Sequence, residues 1–424
     1  MSAVTFAPGP LRGNITVPGD KSISHRALFL AALSTASVSI YNLNSGSDVS
    51  ATAGALRASG VAFSGDSQKT VVQGGRLHDP SVIIDCMNSG TTARLFIGLC
   101  AGAALRADLD GDASLRRRPM EPVAAQLRAF GAQVTTSEGR LPATVSGTSR
   151  IQTRHFILLS PSAQVKSALL LAGIFARASV TINADRGSRD HTERMLRYLG
   201  ADVQFDGKSI RYGAGPLNFR NLEIPGDFSS AAPFIVGAAI TPGSDVCIAD
   251  VSLNRTRTGL LDALVQMGAE IQITNERERC GEVLGDIRVR SSSLRPVNID
   301  QQLSLRAVDE LMVLAVACSY APGTSTIRGI RALRSKESDR VDAISRILRA
   351  ASIKVEVQHD AILIAGGTPS ANQEVVATRG DHRTAMAVGA LACAAGRLSV
   401  DDDGSIATSF PAFVSTLRTA QQRA

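Results

Sequence analysis

The segments VPGDKSISHR, at Val17–Arg26, and IPGDFSSAAP, at Ile224–Pro233, open alike and then diverge. The first follows its Pro-Gly-Asp with Lys21, Ser22 and Arg26; the second carries Phe228, Ser229 and Ala232. The shared part is a strand running into Pro-Gly-Asp and then a small-residue helix, in which Gly19 and Gly226 read as turn glycines. The cations belong to one copy only. A lysine in a helix's first turn faces the positive end of the macrodipole and is destabilising there unless an anion binds, so Lys21 predicts an anion site. Of the 45 basic residues, only Lys21, Lys69, Lys166, Lys208, Lys336 and Lys354 are lysines. Lys21, Lys166 and Lys336 each fall in a polar motif at a predicted helix start or first turn. In a chain that otherwise prefers arginine, these positions call for a compact, point-like ammonium.

The elements that must hold these residues repeat. LRASGVAF at Leu56–Phe63, LRAFGAQV at Leu127–Val134, LRYLGADV at Leu196–Val203, LVQMGAEI at Leu264–Ile271 and LRAASIKV at Leu348–Val355 each look like an amphipathic helix end, its cap, and a strand. The spacing is about 70 residues, longer before the fifth copy, and a degenerate sixth, LRTAQQ, begins at Leu417. Between them lie helices predicted to be apolar nearly all round, and so buried: Ser24–Leu33, Thr92–Ala101, Val165–Ala176, Ser230–Ala239, Glu310–Ser319 and Arg383–Ala394. Each unit reads as strand, buried helix, strand, amphipathic helix, then strands. Six units divide into two domains of three, expected as 1–16 with 226–424 and as 17–225. If the three units of a domain surround a pseudo-threefold axis, helix N-termini converge on one face. Two such faces opposed would form a cleft lined by dipoles and basic side chains.

The net charge of +7 favours anionic partners. Aromatic residues make up only 4% with no tryptophan, and no run of five basic residues occurs, so stacking platforms for nucleic acid are scarce. Small anions are the expected partners, with no nucleic acid and no membrane. Cys86, Cys100, Cys247, Cys280, Cys318 and Cys393 are scattered without a C-x-x-C pair and read as reduced core residues. The start MSAVTFAPGPLRGN has no targeting pattern, and no later stretch reaches membrane-spanning length without charge. A cytoplasmic monomer is expected.

Ten motifs, VPGDKSISHR, NSGTTARL, DASLRRRPM, PSAQVKSALLLAG, SRDHTERM, IPGDFSSAA, VDELMVLAV, RSKESDR, GDHRTAMA and IATSFPAF, occur in this order over nearly the whole chain. In that order the chain resembles the 5-enolpyruvylshikimate-3-phosphate synthases. The resemblance implies the α/β fold of an enolpyruvyl transferase-like inverse α/β barrel, with two similar domains, each of three βαβαββ units around a pseudo-threefold axis, and a chain that crosses between them twice. It also implies the reaction: the carboxyvinyl group of phosphoenolpyruvate passes to the 5-hydroxyl of 3-phosphoshikimate through a tetrahedral intermediate, releasing phosphate, with no cofactor and no metal. This is a shikimate-pathway step toward chorismate and aromatic amino acids.

By motif position, Lys21, Ser22, Arg26, Ser162, Ala163, Gln164, Arg189, Asp309 and Lys336 should hold 3-phosphoshikimate. Lys21, Gly90, Arg118, Gln164, Arg340 and Arg383 should hold phosphoenolpyruvate, the guanidinium forks suiting its carboxylate and phosphate. Asp309 falls at the family's base position for the hydroxyl, and Glu337 with Lys21 are the candidates for protonating the methylene carbon. His25 and His382 read as hydrogen-bonding groups at helix starts, Lys166 as a ligand or as support for the Ser162–Gln164 turn, and Asp48, Asp190 and Asp339 as N-caps.

Thr408 stands where some members carry lysine, and Leu95 where others carry proline. Both traits resemble the subgroup that includes glyphosate-tolerant bacterial enzymes, whose tolerant members have alanine where this chain has Gly90. The alternative of the same architecture is UDP-N-acetylglucosamine enolpyruvyl transferase, which should show a loop cysteine and Lys-Asn-Ala in place of Lys21-Ser22. The alternative of another class is a basic nucleic-acid-binding protein built from similar repeats.

Overall fold

All six segments apolar enough to be buried throughout are helical in the computed structural model, which describes residues 3–66, 68–158, 161–183, 187–372 and 374–422. In chain order the α-helices are α1 Lys21–Ala31, α2 Ser47–Ala58, α3 Gly90–Ala103, α4 Glu121–Phe130, α5 Ala163–Phe175, α6 His191–Tyr198 and α7 Phe228–Ile240. They continue with α8 Gly259–Gln266, α9 Gln301–Arg306, α10 Leu311–Ser319, α11 Arg340–Arg349, α12 His382–Ala395 and α13 Phe413–Gln422. The buried set is α1, α3, α5, α7, α10 and α12. Several begin earlier than apolarity suggests, because a polar residue caps the turn ahead of the apolar run. Asp20 Oδ1 accepts from Ile23 N at 2.9 Å, Ser89 Oγ from Thr92 N at 3.1 Å, and Ser162 Oγ from Val165 N at 3.3 Å. Lys21, Gly90 and Gln164 thereby lie inside first turns.

The chain forms two compact units, one of Met1–Pro18, Pro225–Glu278 and Val283–Ala424, the other of Gly19–Ile224 and Arg279–Glu282. We call them unit one and unit two. Unit two holds three four-stranded sheets. In one, Ile84–Asp85 runs parallel to Arg106–Asp110, which pairs antiparallel with Arg140–Ser146, itself paired with Gln133–Ser137. The sheet built on Val180–Asn183 repeats this order. The third recruits Leu222–Glu223, parallel to Ser37–Tyr41, as its first strand. Unit one makes the reciprocal choice, since Arg12–Ile15 lies parallel to Asp245–Ser252. Another of its sheets has three strands: Val375–Val376 runs parallel to Leu398–Val400, and the strand Val4–Phe6 lies antiparallel to Leu398–Val400 on the other side. Each unit buries its own core, the one around Phe234, Phe410 and Phe413, the other around Phe96, Leu169 and Phe130.

Three details differ from expectation. Neither Gly19 nor Gly226 has a positive φ. Each is required by close packing, since a Cβ on Gly19 would fall 1.8 Å from Asn42 O and one on Gly226 2.9 Å from the Val17 side chain and 3.1 Å from Asp250 O. The long fifth interval is explained by an extended hairpin, Glu270–Arg279 with Glu282–Arg290, and by α9. The tip of that hairpin, Arg279–Glu282, groups with unit two, so the span 226–424 is not all in one domain, and the first crossing lies between Pro18 and Gly19.

Candidate functional site

In unit two the predicted residues sit at helix starts that contact one another. Lys21 Nζ lies 2.8 Å from Asp48 Oδ2. Asp48 is therefore an ion-pair partner within the first turn of α2; the helix N-cap is Gly46. Thr92 Oγ1, at the start of α3, donates to Asp48 O at 3.2 Å. Arg26 is buried and donates to Ser22 O at 2.7 Å, Ser167 Oγ at 2.8 Å and Thr192 Oγ1 at 2.8 Å. Burial pulls its pKa down to about 10 against the attraction of Glu193 and Asp20, which leaves the guanidinium charged at neutral pH.

Gly90 opens α3 beneath two guanidinium groups. A Cβ there would meet Arg94 Nη1 at 2.6 Å and Arg118 Nη1 at 3.1 Å. Arg118 Nη2 donates to Asn88 Oδ1 at 2.5 Å, and Asn88 Nδ2 donates to Asp112 Oδ2 at 2.6 Å. Arg94 orients the next predicted residue, donating from Nη1 to Gln164 Oε1 at 2.6 Å, while Gln164 Nε2 donates to Thr91 Oγ1 at 2.9 Å. Arg94 and Thr192 escaped sequence reasoning, because their importance lies in partners 70 and 166 positions away, and Asn88 reads in sequence only as part of a polar helix start. Arg189 precedes α6, and its carbonyl accepts from Lys166 Nζ at 2.7 Å. Asp190 occupies the N-cap position but makes no side-chain cap, accepting instead from Arg194 Nε at 2.9 Å.

His25 lies wholly inside, its Nδ1 2.7 Å from Thr52 Oγ1 and its Nε2 without a hydrogen-bond partner. Burial, with Lys21 and Arg26 adding to it, holds its pKa well below the ordinary 6.5. The unfolded chain therefore takes up a proton near pH 6.5 that the folded protein refuses, so stability is lost as pH falls from about 6.5 toward His25's own pKa. The expected slope from this group is about 1.4 kcal/mol per pH unit. Urea melts of wild type and His25→Asn between pH 7 and 5 should show that slope reduced by this amount in the variant; equal slopes would refute the assignment.

In unit one the predicted residues converge on Asp309. Arg340 Nη1 donates to its Oδ1 at 3.0 Å, Lys336 Nζ lies 3.7 Å from the same oxygen, and Arg383 Nη2 lies 3.8 Å from Oδ2. Arg340 also donates from Nε to Asp381 Oδ2 at 2.9 Å and from Nη2 to Glu337 Oε2 at 2.6 Å. Burial opposes its charge, yet Asp381, Glu337 and Asp309 together raise its pKa above arginine's ordinary value. Asp339 caps α11 from Val341 N at 3.0 Å, as expected of it. Ser229, of the second Pro-Gly-Asp copy, donates to Glu310 and accepts from Arg257 Nη2 at 2.5 Å. The cluster is thus mixed, where the sequence suggested a basic wall. Its cations are held in place by carboxylates, and an entering anion would replace acid partners already present.

Such paired cations can grip phosphate and carboxylate groups, and Asp309 can accept a proton beside them. Among the described residues, no helix is long and apolar enough to cross a membrane. The family profile described as EPSP synthase (3-phosphoshikimate 1-carboxyvinyltransferase) matches residues 6–417. A 3-phosphoshikimate 1-carboxyvinyltransferase of Legionella pneumophila (strain Paris) is 42% identical over 414 residues, covering 96% of this chain and 95% of that protein. A solved EPSP synthase from Acinetobacter baumannii superposes with a TM-score of 0.88 at 35% identity, covering 99% of this chain and 98% of that one. The enolpyruvyl transferase NikO from Streptomyces tendae, at 18% identity and a TM-score of 0.75 over 99% of this chain and 97% of its own, shares the fold.

Proposed function

The chain belongs to the EPSP synthase family, and we propose that its two clusters are the substrate-binding surfaces of a 3-phosphoshikimate 1-carboxyvinyltransferase. The enzyme transfers the carboxyvinyl group of phosphoenolpyruvate to the 5-hydroxyl of 3-phosphoshikimate and releases phosphate, a step of aromatic amino acid biosynthesis. The family match does not favour the UDP-N-acetylglucosamine alternative.

The roles follow the motif positions. Lys21, Ser22, Arg26, Ser162, Ala163, Gln164 and Arg189 from unit two, with Asp309 and Lys336 from unit one, bind 3-phosphoshikimate. Lys21, Gly90, Arg118 and Gln164, with Arg340 and Arg383, bind phosphoenolpyruvate. The observation that carries the reading is the ring of Lys336, Arg340 and Arg383 around Asp309, all within 3.8 Å. Asp309 takes the proton of the 5-hydroxyl as that oxygen attacks, and Glu337 or Lys21 delivers one to the methylene carbon. As phosphate departs, aided by the cations, a proton is returned from the new methyl group to the residue that delivered one, and the carbon–carbon double bond of the carboxyvinyl group re-forms.

The purified protein should release phosphate from phosphoenolpyruvate only when 3-phosphoshikimate is present, without added metal or nucleotide. Equal release with UDP-N-acetylglucosamine, or none with 3-phosphoshikimate, would overturn the reading. A cytoplasmic monomer without a nucleic-acid partner completes it, and gel filtration checks the monomer.

A further inference from the structure

Of the three motif lysines, Lys166 is the most enclosed, its side chain 3% exposed against Glu193 at 5%. Its Nζ lies 2.7 Å from Glu193 Oε1 and donates to Arg189 O at 2.7 Å. So enclosed, the ammonium cannot touch a substrate, and a buried charge is tolerated only with such partners. Neighbouring groups extend the fastening. Ser167 Oγ donates to Ala163 O at 2.7 Å, lies 2.7 Å from Thr192 Oγ1 and accepts from Arg26 Nη2 at 2.8 Å. Arg26 holds Ser22 O at 2.7 Å. The starts of α1, α5 and α6 are therefore joined by groups at positions 166, 167, 192 and 193, which the motif roles leave unused.

We propose that the buried Lys166–Glu193 ion pair is a positioning pair for 3-phosphoshikimate, fixing the Arg189 backbone, and with it the Arg189 guanidinium, relative to the starts of α1 and α5. The inference rests on the reading above of Ser22, Gln164 and Arg189 as ligands of that substrate. A point charge suits the place, because one ammonium serves a carboxylate oxygen and a carbonyl oxygen in a closed space that a planar guanidinium would overfill. Glu193 shares the support of the Arg26 charge with Asp20 and Glu282, which stay in place when Glu193 is replaced.

Lys166→Met alone leaves Glu193 buried without its counter-charge, so stability and positioning would fall together. The informative variant is Lys166→Met/Glu193→Leu, which removes both charges and should melt within a few degrees of wild type. It should raise the KM for 3-phosphoshikimate roughly 10- to 100-fold, as expected for a binding group displaced by about an ångström. The KM for phosphoenolpyruvate at saturating 3-phosphoshikimate should stay within about threefold. In an Arg189→Met background the same double change should add less than about threefold, since the group it positions is gone. A 3-phosphoshikimate KM within about twofold of wild type, or an undiminished effect in the Arg189→Met background, would overturn the inference. A wild-type protein without 3-phosphoshikimate-dependent phosphate release would overturn the activity itself, and this inference with it, before any substitution is made.

Discussion

Asp309→Asn is expected to lower kcat by about 10²- to 10⁴-fold, the range that a positioned general base supplies, without raising the KM for either substrate. The asparagine keeps the size of the side chain and an oxygen able to accept from Arg340 Nη1, 3.0 Å away in the wild type. What it loses is the capacity to take a proton. It also removes a negative charge among Lys336, Arg340 and Arg383, each within 3.8 Å. Anionic substrates should then bind as well as before or better. A fall in kcat with KM unchanged or lowered identifies a group whose contribution is made in the transition state. Steady-state kinetics on both substrates makes the test. A kcat within about tenfold of wild type would remove Asp309 from the proton transfer, and a raised KM with normal kcat would make it a binding group only.

On the proposed roles, the same cluster would couple proton transfer to anion binding. Every cation assigned to phosphoenolpyruvate or 3-phosphoshikimate in unit one already faces an acid: Arg340 faces Asp381 and Glu337, Arg383 lies 3.7 Å from Glu310, and Lys336 faces Asp309. In unit two, Lys21 faces Asp48. On the proposed roles, a phosphate drawing Lys336 or Arg383 toward itself would loosen their hold on Asp309 and free the carboxylate for the hydroxyl proton.

Much of the fold was readable because the buried helices are apolar on every side and their caps are polar residues at fixed places, signals that stay within a few residues. Five similar amphipathic helix ends supplied the repeat, and the failing sixth is where the N-terminal strand Val4–Phe6 completes the sheet. Long-range pairings were less accessible. Asp48 looks like a cap in sequence, and its partnership with Lys21, 27 residues away, exists only once α1 and α2 are packed. Lys166 could be read as a ligand or as support for the Ser162–Gln164 turn, and its Nζ instead meets Glu193 Oε1 and Arg189 O, partners 27 and 23 positions away. Motif resemblance named Asp309, Lys336, Glu337, Arg340 and Arg383, which the fold brings into one neighbourhood. It assigned no role to Asp381, whose Oδ1 caps α12 through Arg383 N at 3.0 Å while its Oδ2 accepts from Arg340 Nε at 2.9 Å.

That junction predicts a large loss of stability. Arg340 is 1% exposed, the largest of the fully buried side chains, and Asp381 is 0% exposed. Arg340→Met removes the cation paired with Asp381, and it strips Asp309 and Glu337 of a donor each. Breaking a buried pair from one side costs about 3–5 kcal/mol, because the remaining charge stays desolvated. Chemical denaturation should show a loss of that size. Arg340→Lys keeps the charge and should recover part of it, but a lysine has no fork with which to serve three carboxylates, so its affinity for phosphoenolpyruvate should remain impaired. Asp381→Asn in the Arg340→Met background should also recover stability, since the unpaired buried carboxylate is what the single variant suffers from, while restoring no phosphoenolpyruvate binding. If Arg340→Met unfolds within about 1 kcal/mol of wild type, the network is not the buried pair described, for no well-desolvated carboxylate is left unpaired so cheaply.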